Sequence, residues 1–381
     1  MTRVAINNKV LSWAMERSGA PETVKQRFPK LSEWLQGQSQ PTLRQLEEFA
    51  RATYTPLGFL FLSAPPEEEQ ITIPHFRTLG DETLHRPSPD LIETVQTMEQ
   101  RQAWIREYLI EMGQEPLFFV HSARLTDEPK KAAKDIKSVL GLTDLWAAEQ
   151  RTWTDALRKL LTITDDAGIL VAVNGIVGNN THRKLDPVEF RGFVLVDKFA
   201  PLIFINGADG RAAQMFTLAH ELAHVWIGSS AIFDLREMQP ANNEIEQACN
   251  LIAAEFLVPE AEFSRIWPSV QQDMDRFQKV ASLFKVSEIV AARRALDLQR
   301  ISRSEFHDFY SNYMKQGVRA TGPQGGNFYA SQKLRVGRRF GETVVRAARE
   351  GKLLYRDAYR LTGLYGNTFE KFAKSLGLGS I

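Results

Sequence analysis

The chain has 381 residues, of which 43% are hydrophobic and 24% are charged, with a formal net charge of +1. This composition is typical of a globular protein with room for two or three domains. It excludes a protein coated with basic residues for nucleic acid, although local basic patches remain open.

The number of cysteines and the hydropathy of the chain indicate the cellular compartment of the protein. The single cysteine, Cys249, excludes an internal disulfide framework and is typical of a reducing cytosol. The first residues, MTRVAINNKVLSW, hold no apolar run of signal-peptide length, and no stretch of about 18 uncharged apolar residues occurs. The sequence therefore predicts a cytoplasmic protein with no membrane partner.

The first third of the chain has helical periodicity. Apolar side chains recur at helical spacing over residues 9–18, and residues 31–36 predict a second short helix. Thr42 then lies where it would N-cap the helix LRQLEEFARAT. After the Pro pair and acidic stretch PPEEEQ, residues 90–112 predict one long connecting helix.

The middle of the chain combines strands with helices. Apolar, β-branched runs at 168–173, 190–196 and 201–206 predict strands separated by Gly, Asn and Pro. The segment FTLAHELAHVWIG follows as a helix, and IEQACNLIAAEFL predicts a second helix that Pro259 ends. The pattern predicts an α+β fold in which a small sheet carries two adjacent helices.

The last third is helical again. The segment FQKVASLFKVSEIVAARRAL predicts two helices with a turn at Lys285–Val286 and an N-cap at Ser287. Residues 311–360 contain eleven Lys and Arg against three Asp and Glu, which is the strong charge asymmetry of the chain.

Two histidines in FTLAHELAHVWIG have the spacing of metal ligands. His220 and His224 are four residues apart, so a helix places both imidazoles on one face. Two imidazole nitrogens at about 2.0–2.1 Å suit one zinc ion, and Glu221 projects beside them as a general base. The alternative is two ordinary histidines on an apolar helix, but buried ionisable groups without partners are costly.

A zinc site of this kind needs a third protein ligand. Glu246 lies 22 residues beyond His224, which is enough chain for a turn and a returning helix. Glu244 lies at the predicted helix start and faces away, and Glu255 is better placed to cap or pair. Cys249 is one turn from Glu246, where it is either a soft ligand or a small buried thiol.

Substrate contacts have weaker signals. A strand with Arg191, Gly192 and Phe193 precedes the motif helix and would bind an extended peptide by backbone pairing, unless it is an interior strand. His182 lies in a polar loop, either as a surface histidine or as a group that stabilises a transition-state oxygen.

Taken together, FTLAHELAH, IEQACNLIAAEFLVP, FRGF and APLIFIN resemble the ImmA/IrrE family of bacterial and phage metallopeptidases. The resemblance implies a zincin-like core, one Zn2+ ion held by His220, His224 and Glu246, and Glu221 as the catalytic carboxylate. The segments LSWAMERSG and QPTLRQLEEFA resemble an N-terminal helix-turn-helix of the Cro/C1 (XRE) type, and GNFYASQKLRVGRRF and LYRDAYRLTG extend the resemblance towards the C-terminus.

The resemblance implies an endopeptidase that cleaves a partner regulatory protein, either a transcriptional repressor or an antitoxin-like protein. The partner would be encoded nearby, and the cleavage would control a stress, phage or mobile-element response. The alternative is a largely non-catalytic regulator that binds DNA or a toxin and uses zinc structurally. We predict four domains: a helix-turn-helix-like domain (1–65), a linker and helical connector (66–134), the zinc peptidase (135–265) and a helical C-terminal region (266–381).

Nucleic acid is a further candidate partner. Pro29 and a short spacing interrupt the N-terminal helix-turn-helix pattern, which predicts loss of base reading there. The pair around Lys285 offers Arg293 and Arg294 for phosphates, unless it only packs on the peptidase. The basic C-terminal region presents either a nucleic-acid site or a contact for an acidic protein, through the arginines Arg335, Arg338, Arg339, Arg346 and Arg349.

Overall fold

The computed structural model describes residues 3–18, 21–66, 87–233, 244–315 and 328–379. The described residues form two compact units, one that ends at residue 96 and one that begins at residue 97. The predicted domain boundaries at 65, 134 and 265 stay predictions, and residues 67–86 of the predicted linker lie outside the described residues.

The first unit is a small helical bundle. The side chain of Thr42 accepts a hydrogen bond from the backbone of Gln45, and the side chain of Gln45 accepts one from the backbone of Thr42, so the predicted N-cap is a full capping box. Trp34, Phe49 and Phe28 are buried at its centre. Its elements are α1 (Asn8–Arg17), α2 (Pro21–Arg27), α3 (Leu31–Leu35), α4 (Leu43–Ala52) and a 3-10 turn (Leu57–Phe61).

The second unit contains a four-stranded mixed sheet. Its strands are β1 (Leu170–Asn174), β2 (Gly192–Leu195), β3 (Leu202–Asn206) and β4 (Ala231–Phe233), in the order β1-β3-β2-β4. β1 runs parallel to β3, whereas β2 is antiparallel to both β3 and β4. Every residue of the first three strands is buried, which accounts for their continuous apolar sequence.

Helices surround this sheet, and the predicted α+β class is confirmed. The boundary between the two units falls within the first of these helices, which spans Pro89–Glu111. Among the described residues, no helix has the length and apolarity needed to span a bilayer. The helices are α5 (Pro89–Glu111), α6 (Pro129–Val139), α7 (Trp153–Asp166), α8 (Arg211–Ile227), α9 (Glu244–Leu257), α10 (Glu260–Val270), α11 (Arg276–Phe284), α12 (Glu288–Asp297), α13 (Arg303–Lys315), α14 (Phe328–Val336), α15 (Arg338–Arg349), α16 (Tyr355–Thr362) and α17 (Asn367–Ser375).

α8 lies at the centre of the second unit. It packs against β2 and β3 on one side and against α9 and α6 on others, so residues 217–227 are all buried. Gly228 ends the helix with φ +85°, and a Cβ there would lie 2.5 Å from the ring of His121. Only glycine meets both demands, and the end of the helix is thereby fixed in place.

The predicted turn between α11 and α12 has the expected chemistry. Lys285 adopts a left-handed conformation with φ +55°, and the Ser287 side chain accepts a hydrogen bond from the backbone of Val290. The Trp153 indole donates to the Val286 carbonyl at 3.0 Å, which ties this turn to α7. The helix pair therefore packs against α7.

Candidate metal centre

The two motif histidines lie on the buried face of α8. His220 and His224 are one helical turn apart, and the burial of both side chains is complete. Their Nε2 atoms are 3.0 Å apart. Both nitrogens therefore face the same point, where one ion or one hydrogen-bonding atom can contact both of them.

α9 brings a carboxylate to the same point. Glu246 lies in the first turn of α9, with one oxygen 3.1 Å from Nε2 of His220 and the other 3.1 Å from Nε2 of His224. Within the part of the chain that the structure describes, these three residues are the group able to hold a metal ion. The structure brings together the three ligands that the sequence predicts.

The donor set fits a zinc ion. Three ligand atoms at about 2.0–2.1 Å from a tetrahedral metal lie about 3.3 Å from one another, close to the separations seen here. Burial of His220 lowers its pKa, which favours the neutral imidazole that a metal needs. Burial alone would raise the pKa of Glu246, but the two histidine rings that face its oxygens lower it overall, which favours the ionised carboxylate.

Asn250 orients the first of these ligands. Its side-chain oxygen lies 3.1 Å from Nδ1 of His220. With the amide in this orientation, Nδ1 carries the proton and donates it to Asn250, which leaves the Nε2 lone pair directed at Glu246 and His224. Sequence reasoning missed Asn250, although its position one turn after Glu246 on the same helix was a usable signal.

Glu221 lies beside the three ligand atoms and has different surroundings. Its side chain is completely buried, and neither carboxylate oxygen has a hydrogen-bond partner among the described residues. Burial raises the pKa of Glu221 well above its usual value, and the negative charge of Glu246 raises it further. Such a carboxyl holds a proton more readily than a solvated one, as a group that exchanges protons near neutral pH must.

Gly192 sets the distance between β2 and α8 next to Glu221. A Cβ at this position would lie 2.5 Å from the methyl group of Thr217, 2.8 Å from the carbonyl oxygen of Phe204 and 3.4 Å from Oε1 of Glu221. The glycine therefore allows the helix to approach the sheet closely enough for Glu221 to lie against the strand.

The predicted role of β2 in pairing with substrate is wrong. β2 lies between β3 and β4 and uses both edges for those neighbours, so no edge is left for a peptide. Phe193 is fully buried and stacks on Phe204 at 5.0 Å, and Arg191 forms an ion pair with Asp209 at 2.9 Å. The strand is the interior one that the sequence had left open.

His182 is exposed in the loop between β1 and β2, as a surface histidine would be. The thiol of Cys249 is buried, and burial followed by the charges of Glu246 and Glu221 raises its pKa well above the usual value. The thiolate that binds metals is thereby disfavoured. Glu255 pairs with Arg294 and accepts from the backbone of Glu260, as expected for a residue that caps or pairs.

Arg294 is not available to phosphate, contrary to prediction. Its side chain is buried, and the guanidinium donates to Glu255 and to the carbonyl oxygen of Val258. Arg293, its neighbour, is partly exposed and pairs with Asp297 at 2.9 Å. DNA binding by this helix pair or by the first unit stays a prediction.

The predicted basic cluster of the C-terminal region is largely structural. Arg338 contacts Asp165 and Asp166 of α7, and the backbone of Arg339 donates to Asp165 at 3.0 Å. Arg335 is half-buried, and burial lowers its pKa. The Arg338 side chain and the Arg339 backbone therefore fasten α15 to α7, and the side chains of Arg335, Arg338 and Arg339 are only partly exposed.

Known proteins resemble two parts of this chain. Residues 164–296, which contain all the residues of the centre, match the peptidase family model described as the IrrE N-terminal-like domain. Residues 336–375 match a domain of unknown function, DUF8813. Over 100 residues the chain is 34% identical to the radiation response metalloprotease IrrE of Deinococcus radiodurans, a match that covers 24% of this chain and 28% of that protein. The chain therefore matches only about a quarter of this relative's length.

Proposed function

This chain carries the peptidase domain of the ImmA/IrrE family, and from that premise we propose that it is a zinc-dependent endopeptidase that cleaves a partner regulatory protein. The partner would be a transcriptional repressor or an antitoxin-like protein encoded nearby. Its cleavage would release a stress, phage or mobile-element response.

One observation carries this proposal: Glu221 is buried without a hydrogen-bond partner among the described residues, directly beside three converging metal ligands. A metal site that only holds the fold has no use for an additional buried carboxyl, because burying one without a partner costs several kcal/mol. A hydrolase needs such a group to exchange a proton with water. The arrangement therefore favours catalysis over a structural site.

The residues of the centre have separate tasks in this proposal. A zinc ion held by His220, His224 and Glu246 would supply Lewis-acid polarisation and would lower the pKa of water to about 7. Glu221 accepts the proton from the attacking water and returns it to the leaving amine. Its raised pKa suits both steps, because the group must bind the proton and then give it up.

We propose that the substrate binds in an extended conformation along β4. This strand pairs with β2 on one edge and, among the described residues, has no strand partner on the other, where a peptide can add by backbone pairing. β4 follows α8 after three residues, which ties its position to the end of the motif helix. A partner with an exposed, flexible segment is the kind of substrate that such an edge accepts.

The test uses the full chain, loaded with zinc, and the protein encoded next to it as the substrate. Glu221→Gln should retain zinc and should lower the cleavage rate by about 10²–10⁴-fold, since it removes the proton acceptor. His220→Ala should lose zinc, as measured by metal analysis. Glu244→Gln, an exposed carboxylate at the start of α9, is the matched control and should cleave normally.

Two outcomes would overturn the proposal. Full zinc occupancy of the His220→Ala protein would contradict the ligand assignment. A Glu221→Gln protein that retains its cellular function would show that the chain acts as a binding module in which zinc is structural.

A further inference from the structure

An exposed aromatic and basic surface lies on α16 and the turn that follows it. We call the set Tyr355, Arg356, Tyr359, Arg360 and Tyr365 the tyrosine–arginine face. It lies within residues 336–375, the segment that matches a domain of unknown function, and far along the chain from the metal ligands.

The three tyrosine rings of this face form one continuous row. The ring centroids of Tyr355 and Tyr359 are 6.0 Å apart, as are those of Tyr359 and Tyr365. Beneath them Phe369 of α17 is buried and lies 5.2 Å from the Tyr359 ring. The row is therefore held in place from below, which reduces the entropy lost when a ligand binds.

Two rings of the row are open to solvent. Tyr355 is 43% exposed and Tyr365 is 67% exposed. Gly363 and Gly366 have positive φ values of 68° and 50°, and they create the turn that presents Tyr365. Exposed aromatic rings that are held in place by a buried ring and a tight turn are typical of a binding surface.

Cations accompany the rings along the same helix. Arg356 and Arg360 are one turn apart and both exposed, and they form a row next to that of Tyr355 and Tyr359. Arg360 has no carboxylate partner in the described part of the chain, and Arg356 contacts only its sequence neighbour Asp357, at 3.4 Å. These charges therefore remain available to a ligand.

The segment of the chain that carries the face is also basic. Residues 336–375 contain nine Lys and Arg against four Asp and Glu. Arg338 and Arg349 use their charges inside the fold, on Asp165 and on Glu370 respectively. The remaining excess of positive charge includes the exposed residues Arg346, Lys371 and Lys374.

We propose that the tyrosine–arginine face binds single-stranded nucleic acid. Unpaired bases stack on accessible aromatic rings, and arginines beside the rings contact the phosphates. A duplex does not offer its base faces to such rings. An acidic peptide would contact only the cations, and the ordered row of rings would then have no ligand group to stack on. The observed combination of both residue types therefore favours a single strand.

The experiment measures fluorescence anisotropy of a labelled twelve-residue oligothymidylate with the full chain. Wild-type protein should bind, and its affinity should fall with added salt, because phosphate contacts release counterions. Tyr355→Ala/Tyr365→Ala should weaken binding at least about tenfold through lost stacking. Tyr355→Phe/Tyr365→Phe keeps the rings and should bind within about twofold of wild type.

A second pair of variants isolates the cations. Arg356→Glu/Arg360→Glu should weaken binding at least about tenfold and should reduce the salt dependence. The control is Arg300→Glu/Arg303→Glu, which makes the same charge change at exposed positions near the start of α13. A thermal melt of each variant would identify any loss of folding, and the Phe variants retain the packing of the row.

Three results would overturn the proposal. The first is absence of binding at low salt, and the second is wild-type affinity in the Tyr→Ala variant. The third is a preference for another partner, measured with an unlabelled duplex and a twelve-residue polyglutamate as competitors. Displacement by polyglutamate at lower concentration than unlabelled oligothymidylate would identify the face as a contact for an acidic protein.

Discussion

Glu221, which is fully buried, and Glu255, which is partly buried, are two carboxylates on neighbouring helices with opposite surroundings. Glu255 pairs with the buried guanidinium of Arg294 and accepts the backbone hydrogen bond of Glu260. Glu221 has neither kind of partner among the described residues, and burial and the charge of Glu246 raise its pKa.

This difference distinguishes a carboxylate that stabilises the fold from one that can take part in a reaction. A buried charge that stabilises a fold is enclosed by partners, because an unpaired one is costly. A buried carboxyl whose partners are absent is held there by the rest of the structure and remains free to take part in a reaction. The same distinction divides the paired arginines of α15 from the exposed ones of α16.

The largest effect on stability should come from breaking the enclosed pair. Arg294→Ala removes a buried guanidinium and leaves the partly buried Glu255 without its cation, so we expect the free energy of unfolding to fall by about 3–5 kcal/mol. Arg293→Ala removes a neighbouring arginine whose partner Asp297 is at the surface, and should cost less than about 1 kcal/mol. Chemical denaturation of both variants measures the difference.

Equal losses in the two variants would contradict the distinction between enclosed and surface pairs. Glu255→Gln with Arg294→Met supplies a further control, because removing both charges should restore part of the stability that Arg294→Ala loses.

A smaller effect should come from the residue that orients His220. Asn250→Ala removes the acceptor at Nδ1, and we expect zinc affinity to fall by about 10–100-fold. Competition with a zinc-binding dye measures this, while the melting temperature of the metal-free protein should change little. Asn250→Asp keeps an acceptor oxygen and should retain most of the affinity. Unchanged affinity in the Ala variant would show that Asn250 does not orient the ligand.

The smallest effect concerns Asp165, a carboxylate that is buried and paired at once. Burial raises its pKa to about 6, although the charge of Arg338 and the backbone of Arg339 act to lower it. A carboxyl with a raised pKa in the folded state stabilises that state at low pH. Its contribution is full below the unfolded pKa and is lost as the pH rises through 6.

Asp165→Asn removes this titration, so the variant should gain stability relative to wild type as the pH increases. Between pH 5 and pH 7.5 we expect a relative gain of about 1 kcal/mol. Paired melts at several pH values measure it, with the metal content held constant. A relative loss over the same range would show that the ion pair with Arg338 outweighs the burial.

The metal centre was predictable from sequence because its signals are local. The i, i+4 histidines and the glutamate on the next helix depend on helical geometry and on a short connection. The structure places the two Nε2 atoms 3.0 Å apart and each of them 3.1 Å from one oxygen of Glu246. The turn at Lys285 and the caps at Thr42 and Ser287 are also local, and the structure has each of them.

Features that depend on distant partners were not predictable. The sequence of β2 is apolar throughout, which fits an interior strand and a substrate-binding one equally well until β4 is known to pair with it. Arg294 resembles a surface cation because its partner, Glu255, is 39 residues away. The position of Asn250 one turn after Glu246 places it near the ligands, but only its distance to His220 shows which ligand it orients.

Cys249 is the sole cysteine of the chain, and its thiol is fully buried on α9 between Glu246 and Asn250 in sequence. A thiol reagent can therefore reach it only when α9 moves away from its neighbours. The rate of modification by an excess of reagent reports that opening directly, with no engineered label. Slower modification on addition of zinc would turn this residue into a gauge of how firmly the ion joins α8 to α9.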